Sequence, residues 1–331
     1  MEAHLATAAR ALQRRGHRVT LFAAGGSDPD LHVEVMEPGG VPDTPGGRRD
    51  ISDTPEIVAA ERDAYGSLMD RLGGELADAF DVVHNHSLHH LPYTRASELP
   101  RPMVSTLHTP PFPRLESALR SARGAVRCVA VSEQVRAAWA PVAPDARVIP
   151  HGVDTRAWPP GPGGPDLVWT GRLVPEKGPH LAIDAARGAG RRLRLAGPVV
   201  DRDYVDREIR PRLGAGVDYL GHLDQRALAE VVGASGVALV TPMWDEPYGL
   251  VVAEALACGT PVVAFARGGI PETLTPECGR LVRPGDVGDM ADAVAEAERL
   301  PRPAARHRAV THCSLGTMVD RLEDLYREAT A

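Results

Sequence analysis

The sequence predicts an α/β fold with mainly parallel sheets, divided between two domains. Three observations carry this: the chain's length, an alternation of short apolar runs with helical stretches, and one dense Pro/Gly segment at mid-chain. A chain of 331 residues exceeds what one hydrophobic core usually organises, so two domains of roughly 150 residues are expected. Apolar or β-branched runs at 18–22, 32–36, 81–84, 103–107 and 127–131 give the first set of strands. Those at 167–170, 192–196, 217–220, 237–240 and 261–265 give the second. Between the sets lie 149–154 and the Pro/Gly-dense 158–165, read as the linker, which divides the chain into domains 1–154 and 155–331. A further Pro/Gly-rich stretch, 38–47, reads as a long surface loop inside the first domain.

The chain opens on a helical pattern over 3–15, with Leu5, Ala8, Ala9 and Leu12 on one face and Gly16 ending it. A doubly wound domain normally places a strand and a Gly-rich turn ahead of that helix. The first strand and its phosphate-facing turn are therefore expected to be missing.

Composition then narrows the function. Gly and Pro, at 33 and 30 residues, stay below the share that marks low complexity, and 43% hydrophobic content suits a folded protein. A net charge of −7 with 4% aromatics supplies neither the cationic field nor the stacking surfaces of a nucleic-acid binder. Cys128, Cys258, Cys278 and Cys313 show no CxxC spacing, which fits small buried side chains in a reducing compartment. No apolar run approaches the roughly 18 residues that would span a bilayer, and Glu2 and Arg10 stand where a signal peptide would be apolar, so a cytoplasmic protein without a transmembrane segment is expected. Of the 37 basic residues one is a lysine, Lys177. An ammonium kept at one place, in a chain that elsewhere uses the broad guanidinium fork, directs attention to its surroundings.

Lys177 lies in the segment TGRLVPEKG, residues 170–178, between an apolar strand and a helical pattern. Such a loop sets Arg172 and Lys177 over the carboxyl end of a sheet, where α/β folds bind ligands. Two charge-assisted contacts of roughly 1.5–3 kcal/mol each would hold a pyrophosphate; the alternative is a solvated cationic loop partnered by Glu176. In the segment 242–265, Glu246 stands in a loop, Gly249 permits a turn, a short helix runs over 250–258, and Gly259 and Pro261 stop it. The amides near Gly249, Leu250 and Val251 form an anion site at the helix N-terminus. Glu254, amid apolar neighbours in that helix, needs donors. Two ribose hydroxyls would supply them, as would a buried arginine or a backbone amide.

These residues resemble the family-four retaining glycosyltransferases of the GT-B fold. The likeness rests on the Arg172…Glu-Lys-Gly loop, the pair Glu246 and Glu254, ACGTPVVA at 257–264, GGIPE at 268–272, VIPHGVD at 148–154 and TLHTP at 106–110, and runs from about Gly16 onward. The resemblance implies two Rossmann-like doubly wound domains facing a cleft, with acceptor on the N-terminal side and a nucleotide-diphosphate sugar on the C-terminal side. It also implies a last helix, over 318–328, that crosses back to the first domain. Gly171, Arg172, Lys177, Glu246, Gly249, Leu250, Val251 and Glu254 would bind the donor. Within that set Arg172 and Lys177 would stabilise the leaving diphosphate, Glu246 would bond the sugar hydroxyls and Glu254 would hold the ribose. His108 would face the donor sugar and serve catalysis together with Arg172, Lys177 and Glu246; read by itself it is a loop histidine capping a strand. Neither metal nor resident cofactor is implied, the nucleotide sugar being a co-substrate.

The run His84-Asn85-His86-Ser87-Leu88-His89-His90 matches no closed zinc pattern and reads as a polar loop lining the acceptor side. Arg191, Arg192 and Arg194 read as solvated charges on a strand edge. No GxGxxG follows a strand, and Gly178 rather than Ser or Thr follows the lysine, which argues against a dehydrogenase and a P-loop kinase. A non-catalytic nucleotide-sugar-binding protein and a sugar-nucleotide epimerase on the same architecture remain as alternatives.

Overall fold

Parallel pairing organises this chain, as the alternation of strands and helices predicts. In a computed structural model, residues 2–23, 31–36, 55–122 and 124–331 are described; the expected loop at 38–47 lies outside them. The chain divides into two units, Met1–Pro150 with Met318–Ala331, and His151–Thr317.

The first unit runs α1 (Glu2–Arg14), β1 (Leu21–Ala23), β2 (Val33–Val35), α2 (Pro55–Gly73), β3 (Val83–Asn85), α3 (Leu91–Thr94), β4 (Met103–Leu107), α4 (Pro113–Ser121), β5 (Val126–Ala130), α5 (Glu133–Trp139) and β6 (Arg147–Val148). Among the described residues β1 pairs with β2, and β3-β4-β5-β6 form a four-stranded sheet. Every residue of β4 is buried, as a parallel strand covered on both faces requires. Its polar Ser105 is accommodated because the hydroxyl donates to Tyr93 Oη at 2.7 Å and accepts from Asn85 Nδ2 at 3.0 Å.

The second unit holds β7 (Leu167–Thr170), α6 (Pro179–Gly188), β8 (Leu193–Ala196), α7 (Arg202–Tyr204), β9 (Val217–Tyr219), α8 (Gln225–Gly233), β10 (Val237–Val240), α9 (Leu250–Ala257), β11 (Val262–Phe265), α10 (Ile270–Thr273), β12 (Gly279–Val282), α11 (Val287–Ala297) and α12 (Arg302–His312). Helix α13 (Leu315–Thr330) begins here and belongs to the first unit from Met318 on. The sheet order is β12-β11-β10-β7-β8-β9, all parallel. Winding therefore starts at β7, proceeds through β8 and β9, then reverses across β7 to β10, β11 and β12. The reversal puts the topological switch point between β7 and β10, where the carboxyl ends of open α/β sheets bind ligands.

Two expectations need correction. Strand β8 is internal, not an edge, and its Arg194 is paired with the buried Asp166 at 2.6 Å; Arg191 and Arg192, just ahead of the strand, are exposed as expected and pair with Glu298 at 2.8 Å and Asp218 at 2.6 Å. Strand β12 was not expected from sequence; as the sheet's outer strand it carries Arg280 and an exposed Leu281, so its apolar signal is weak. The Pro/Gly stretch at 158–165 also packs within the second unit. A Cβ on Gly161 would meet Gly233 backbone at 2.4 Å, so the glycine permits a close approach that any side chain would block. All four cysteines are free and buried. No helix among the described residues is long and apolar enough to cross a membrane.

Helix α12 clasps the ends of α8 and α9. Arg302 donates to the carbonyls of Gly233 at 2.9 Å, Ser235 at 3.0 Å and Cys258 at 3.1 Å, and to Thr260 Oγ1 at 3.1 Å. Arg306 donates to Ala257 O at 2.5 Å and to Trp158 O at 2.8 Å. Of these acceptors, the Gly233, Ala257 and Cys258 carbonyls lie at the C-terminal ends of α8 and α9, and cations placed there also oppose the negative end of the α9 dipole. Replacing Arg302 by Met keeps the aliphatic bulk and removes every donor. Urea unfolding is expected to lose about 1–3 kcal/mol, chiefly through the stranded Ser235 carbonyl, since Gly233 O and Cys258 O keep the amides of Gly163 and Gly161; an unchanged midpoint would refute the clasp.

Candidate active site

The site grows from two loops that leave adjacent strands. Residues 171–178 follow β7 and residues 241–249 follow β10, and β7 and β10 are hydrogen-bonded neighbours. Backbone and side-chain bonds zip the loops together. The Thr241 hydroxyl lies 3.1 Å from Lys177 O and 2.8 Å from Gly178 O, and accepts from Trp169 Nε1 at 3.0 Å. The Met243 N–H donates to Glu176 O at 2.8 Å. Gly178 has φ +63°, and a Cβ there would stand 2.3 Å from Thr241 O, so the approach needs glycine on both steric and conformational grounds.

Zipping the loops brings Lys177 Nζ to 2.5 Å from Glu246 Oε2. Both side chains are mostly withdrawn from water, at 21% and 18% exposure, where a charge pair is screened less than on the surface. The Trp244 indole N–H donates to the same oxygen at 3.0 Å, and the Lys177 ammonium lies 5.1 Å from the centre of the Trp244 ring. A third loop, after β11, pins the backbone: Gly269 N–H donates to Glu246 O at 2.7 Å. Arg172 differs, being 56% exposed and 3.8 Å from Glu176. It stands at the rim with the local partner that the solvated-loop alternative names, and its guanidinium keeps donors to spare.

Helix α9 begins directly after this cluster. Its N-cap is Gly249, at φ +87°, with no side chain capping the first turn, so the leading amides at Leu250 and Val251 lack an intrahelical acceptor. They present the positive end of the helix, four and five residues along the chain from Glu246. One turn further, Glu254 keeps some solvent access, yet the packing around its carboxyl pushes it up to about 7, by burial alone. Neither an ion pair nor a side-chain hydrogen bond reaches it among the described residues, so the buried-arginine and backbone-amide alternatives for its donors are not what the fold provides. Gly171 takes an extended turn at the end of β7, and its carbonyl would lie 1.8 Å from a Cβ on Gly197.

The remaining sequence-predicted residue, His108, belongs to the first unit. It follows β4, is buried, and its Nε2 lies 3.0 Å from His86 Nδ1. Burial, with lesser contributions from nearby His4 and His84, holds its pKa down to about 3, so it is neutral at pH 7. The histidine run supplies a stack: the His84 and His86 rings lie 4.0 Å apart, and His84 is bonded through Nδ1 to Tyr326 Oη at 2.5 Å and through Nε2 to Thr106 Oγ1 at 2.8 Å. Tyr326 comes from α13. With both His84 nitrogens used within the protein and its pKa lowered to about 3 by burial, His84 is a structural histidine. Among the described residues no group of three or more His, Cys, Asp or Glu side chains is arranged to hold a metal ion.

Three residues escape the sequence reading. Trp244 and Tyr326 are single aromatics: the Trp244 N–H reaches Glu246 two residues on while its ring faces Lys177 of the other loop, and the Tyr326 hydroxyl reaches His84 of a distant strand. Arg267, next to Gly268, has a buried Nε without a partner and an Nη1 at 3.8 Å from Asp245. Only its place beside the GGIPE segment could have drawn attention to it.

Two family models together match residues 1–311: one described as Glycosyltransferase Family 4 over residues 1–157, and one described as Glycosyl transferases group 1 over residues 155–311. A glycogen synthase of Mycobacterium tuberculosis is 28% identical, across 98% of this chain and 89% of that protein. A D-inositol 3-phosphate glycosyltransferase of Saccharomonospora viridis is 33% identical, across 57% of this chain and 52% of its own length. Among solved structures, AviGT4, a glycosyltransferase involved in avilamycin A biosynthesis, superposes with TM-score 0.72 at 25% identity, over 99% of this chain and 89% of its own. Anabaena HepE in complex with UDP and glucose gives TM-score 0.77 at 21% identity, over 99% and 95%.

Glu254 generates a pH prediction with a definite sign. Its folded pKa, raised from 4.5 to about 7, means that the native state holds a proton that the unfolded chain releases. Its contribution to stability is therefore full below about pH 4.5 and is lost as pH rises toward 7. Relative to wild type, Glu254→Gln is expected to gain stability across that window, by up to about 3 kcal/mol. Taking the difference cancels the buried histidines, which act in the opposite direction. Urea melts at several pH values check it, and a flat difference would refute the assignment.

Proposed function

The chain belongs to the family-four glycosyltransferases of the GT-B fold, and we propose that it moves a sugar from a nucleotide-diphosphate donor to an acceptor hydroxyl with retained configuration and without a metal. The observation that carries this reading is the Lys177–Glu246 pair at the switch point, immediately ahead of the uncapped N-terminus of α9. In this reading an ammonium, a rim guanidinium and the Leu250 and Val251 amides, all on the loops and helix that follow β7 and β10, receive the diphosphate. They supply the stabilisation of developing negative charge for which other enzymes recruit a divalent cation.

In this reading the bond between the anomeric carbon and the diphosphate oxygen breaks first. Positive charge accumulates on the sugar ring and negative charge on the departing diphosphate, where Lys177, Arg172 and the helix amides receive it. The acceptor hydroxyl adds to the anomeric carbon from the face that the diphosphate leaves, and its proton passes to a diphosphate oxygen. Configuration is thereby retained. Glu246 accepts hydrogen bonds from donor-sugar hydroxyls, and Glu254 accepts two from the ribose, which supplies the donors its carboxyl lacks. Gly171 keeps the end of β7 free of a side chain. His108 enters on the family resemblance together with its buried, neutral state: an uncharged imidazole suits a hydrogen bond to a sugar hydroxyl rather than proton transfer near pH 7. UDP is the first nucleotide to test, since HepE is described in complex with UDP-glucose.

A thermal-shift screen of UDP-, GDP-, ADP- and TDP-sugars identifies the donor, because a ligand at 100 times its Kd adds about 2.7 kcal/mol. With that donor, Lys177→Ala is expected to weaken binding at least about tenfold, the worth of one charge-assisted hydrogen bond. Glu254→Ala is expected to weaken it by a smaller factor. His108→Ala should lower kcat while leaving donor Kd within about twofold. Wild-type donor affinity in both the Lys177 and Glu254 variants would defeat the reading.

A further inference from the structure

We propose that Trp244 is the positioning residue that sets donor-sugar selectivity, by confining Glu246 so that one carboxylate oxygen, Oε1, is reserved for a sugar hydroxyl. The inference rests on the reading of Glu246 as the sugar-binding carboxylate. Its basis is an asymmetry in the pair. Lys177 Nζ, at 2.5 Å, and the Trp244 indole N–H, at 3.0 Å, both converge on Oε2. No hydrogen bond among the described residues reaches Oε1.

The lysine alone would not create this asymmetry. An ammonium is a compact charge with three rotatable donors on a flexible stem, so it follows a carboxylate through its rotations and pairs with either oxygen. An indole N–H is one donor with one direction, on a ring positioned by two torsions. Trp244 also acts on the other partner, because its ring lies 5.1 Å from the Lys177 ammonium and favours keeping the cation on that side. The main chain of Glu246 is anchored separately, by the Gly269 N–H. Gly268, at φ +58°, would place a Cβ 2.0 Å from Glu246 O, so the two segments touch with no room for adjustment. With its backbone held from one loop and Oε2 held by Lys177 and Trp244, Glu246 retains one acceptor atom with a defined direction. A hydroxyl of the matching configuration pairs with it. The epimer leaves a half-buried carboxylate oxygen short of a donor, and rejection by an unpaired polar group discriminates more strongly than lost apolar contact.

The test measures binding of UDP, UDP-glucose and UDP-galactose by titration calorimetry to wild type, Trp244→Phe, Trp244→Leu and Glu246→Gln. Phe keeps an aromatic ring on the Lys177 side while removing the N–H and one ring of the indole; Leu removes the aromatic ring altogether, and near-ultraviolet circular dichroism checks that each variant is folded. The expected result is that Trp244→Phe binds UDP within about twofold of wild type while the Kd ratio between the two epimers falls at least threefold toward one. Glu246→Gln should fall at least as far. A general loosening of the loop would weaken all three ligands together and leave the ratio in place, which would overturn the inference. A wild-type ratio of one also overturns it. If Glu246→Gln collapses the ratio and both Trp244 variants keep it, the inference fails and the sugar-binding reading of Glu246 stands. If Glu246→Gln keeps it too, both fail.

Discussion

A lysine ammonium and a glutamate carboxylate meet where two loops leave neighbouring strands, and the geometry of the second unit follows from that contact. Lys177 and Glu246 are 69 residues apart in sequence. They meet because β7 and β10 pair directly, because Thr241 and Met243 bond the backbone of 176–178, and because Gly178 lets the two loops approach as closely as backbone atoms allow. Helix α9 opens directly after the Glu246 loop, with no side chain capping its first turn. At the other end of that helix, Arg302 and Arg306 occupy the last carbonyls and oppose the negative pole. The C-terminal end of this short helix is thus held by side chains of distant origin.

The two carboxylates of the 242–265 segment show how environment separates chemically identical groups. Glu246 has an ammonium and an indole N–H on one oxygen. Glu254, eight positions later, sits among the apolar side chains of α9, and burial drives it up to about 7. Its protonation therefore changes within the ordinary working range of pH, and donors that bond the ionised form would draw the proton off on binding.

In the first unit polarity is handled by a different device. Thr106, His84 and Tyr326 form a hydrogen-bonded line from β4 to α13, and His86, stacked on His84, carries the interaction on to His108. A helix from the end of the chain thereby contributes a hydroxyl that fixes a histidine of the β3 strand. The ion pair of Arg147 with Glu328 ties the same helix to β6.

The order of residues alone made the α/β class and the largely apolar strands β4, β7, β10 and β11 legible, since a strand buried on both faces announces itself locally. It also supplied the chemistry of the site, through a lone lysine, two glutamates and a glycine that opens a helix. Strand β12 escaped because an outer strand is only half apolar, and the internal position of β8 is hidden because the charges beside it, Arg191, Arg192 and Arg194, find their partners Glu298, Asp218 and Asp166 on other segments. Tyr326 escaped for the same reason, its hydroxyl reaching His84 far along the chain, and Trp244 because an aromatic side chain carries no local signal of the group its N–H will reach, even one two residues on. Only the tertiary structure decided that β7 lies beside β10 rather than at the end of a run. That reversal of winding is a property of how helices cover both faces of the sheet, and it alone turns two distant loops into one site.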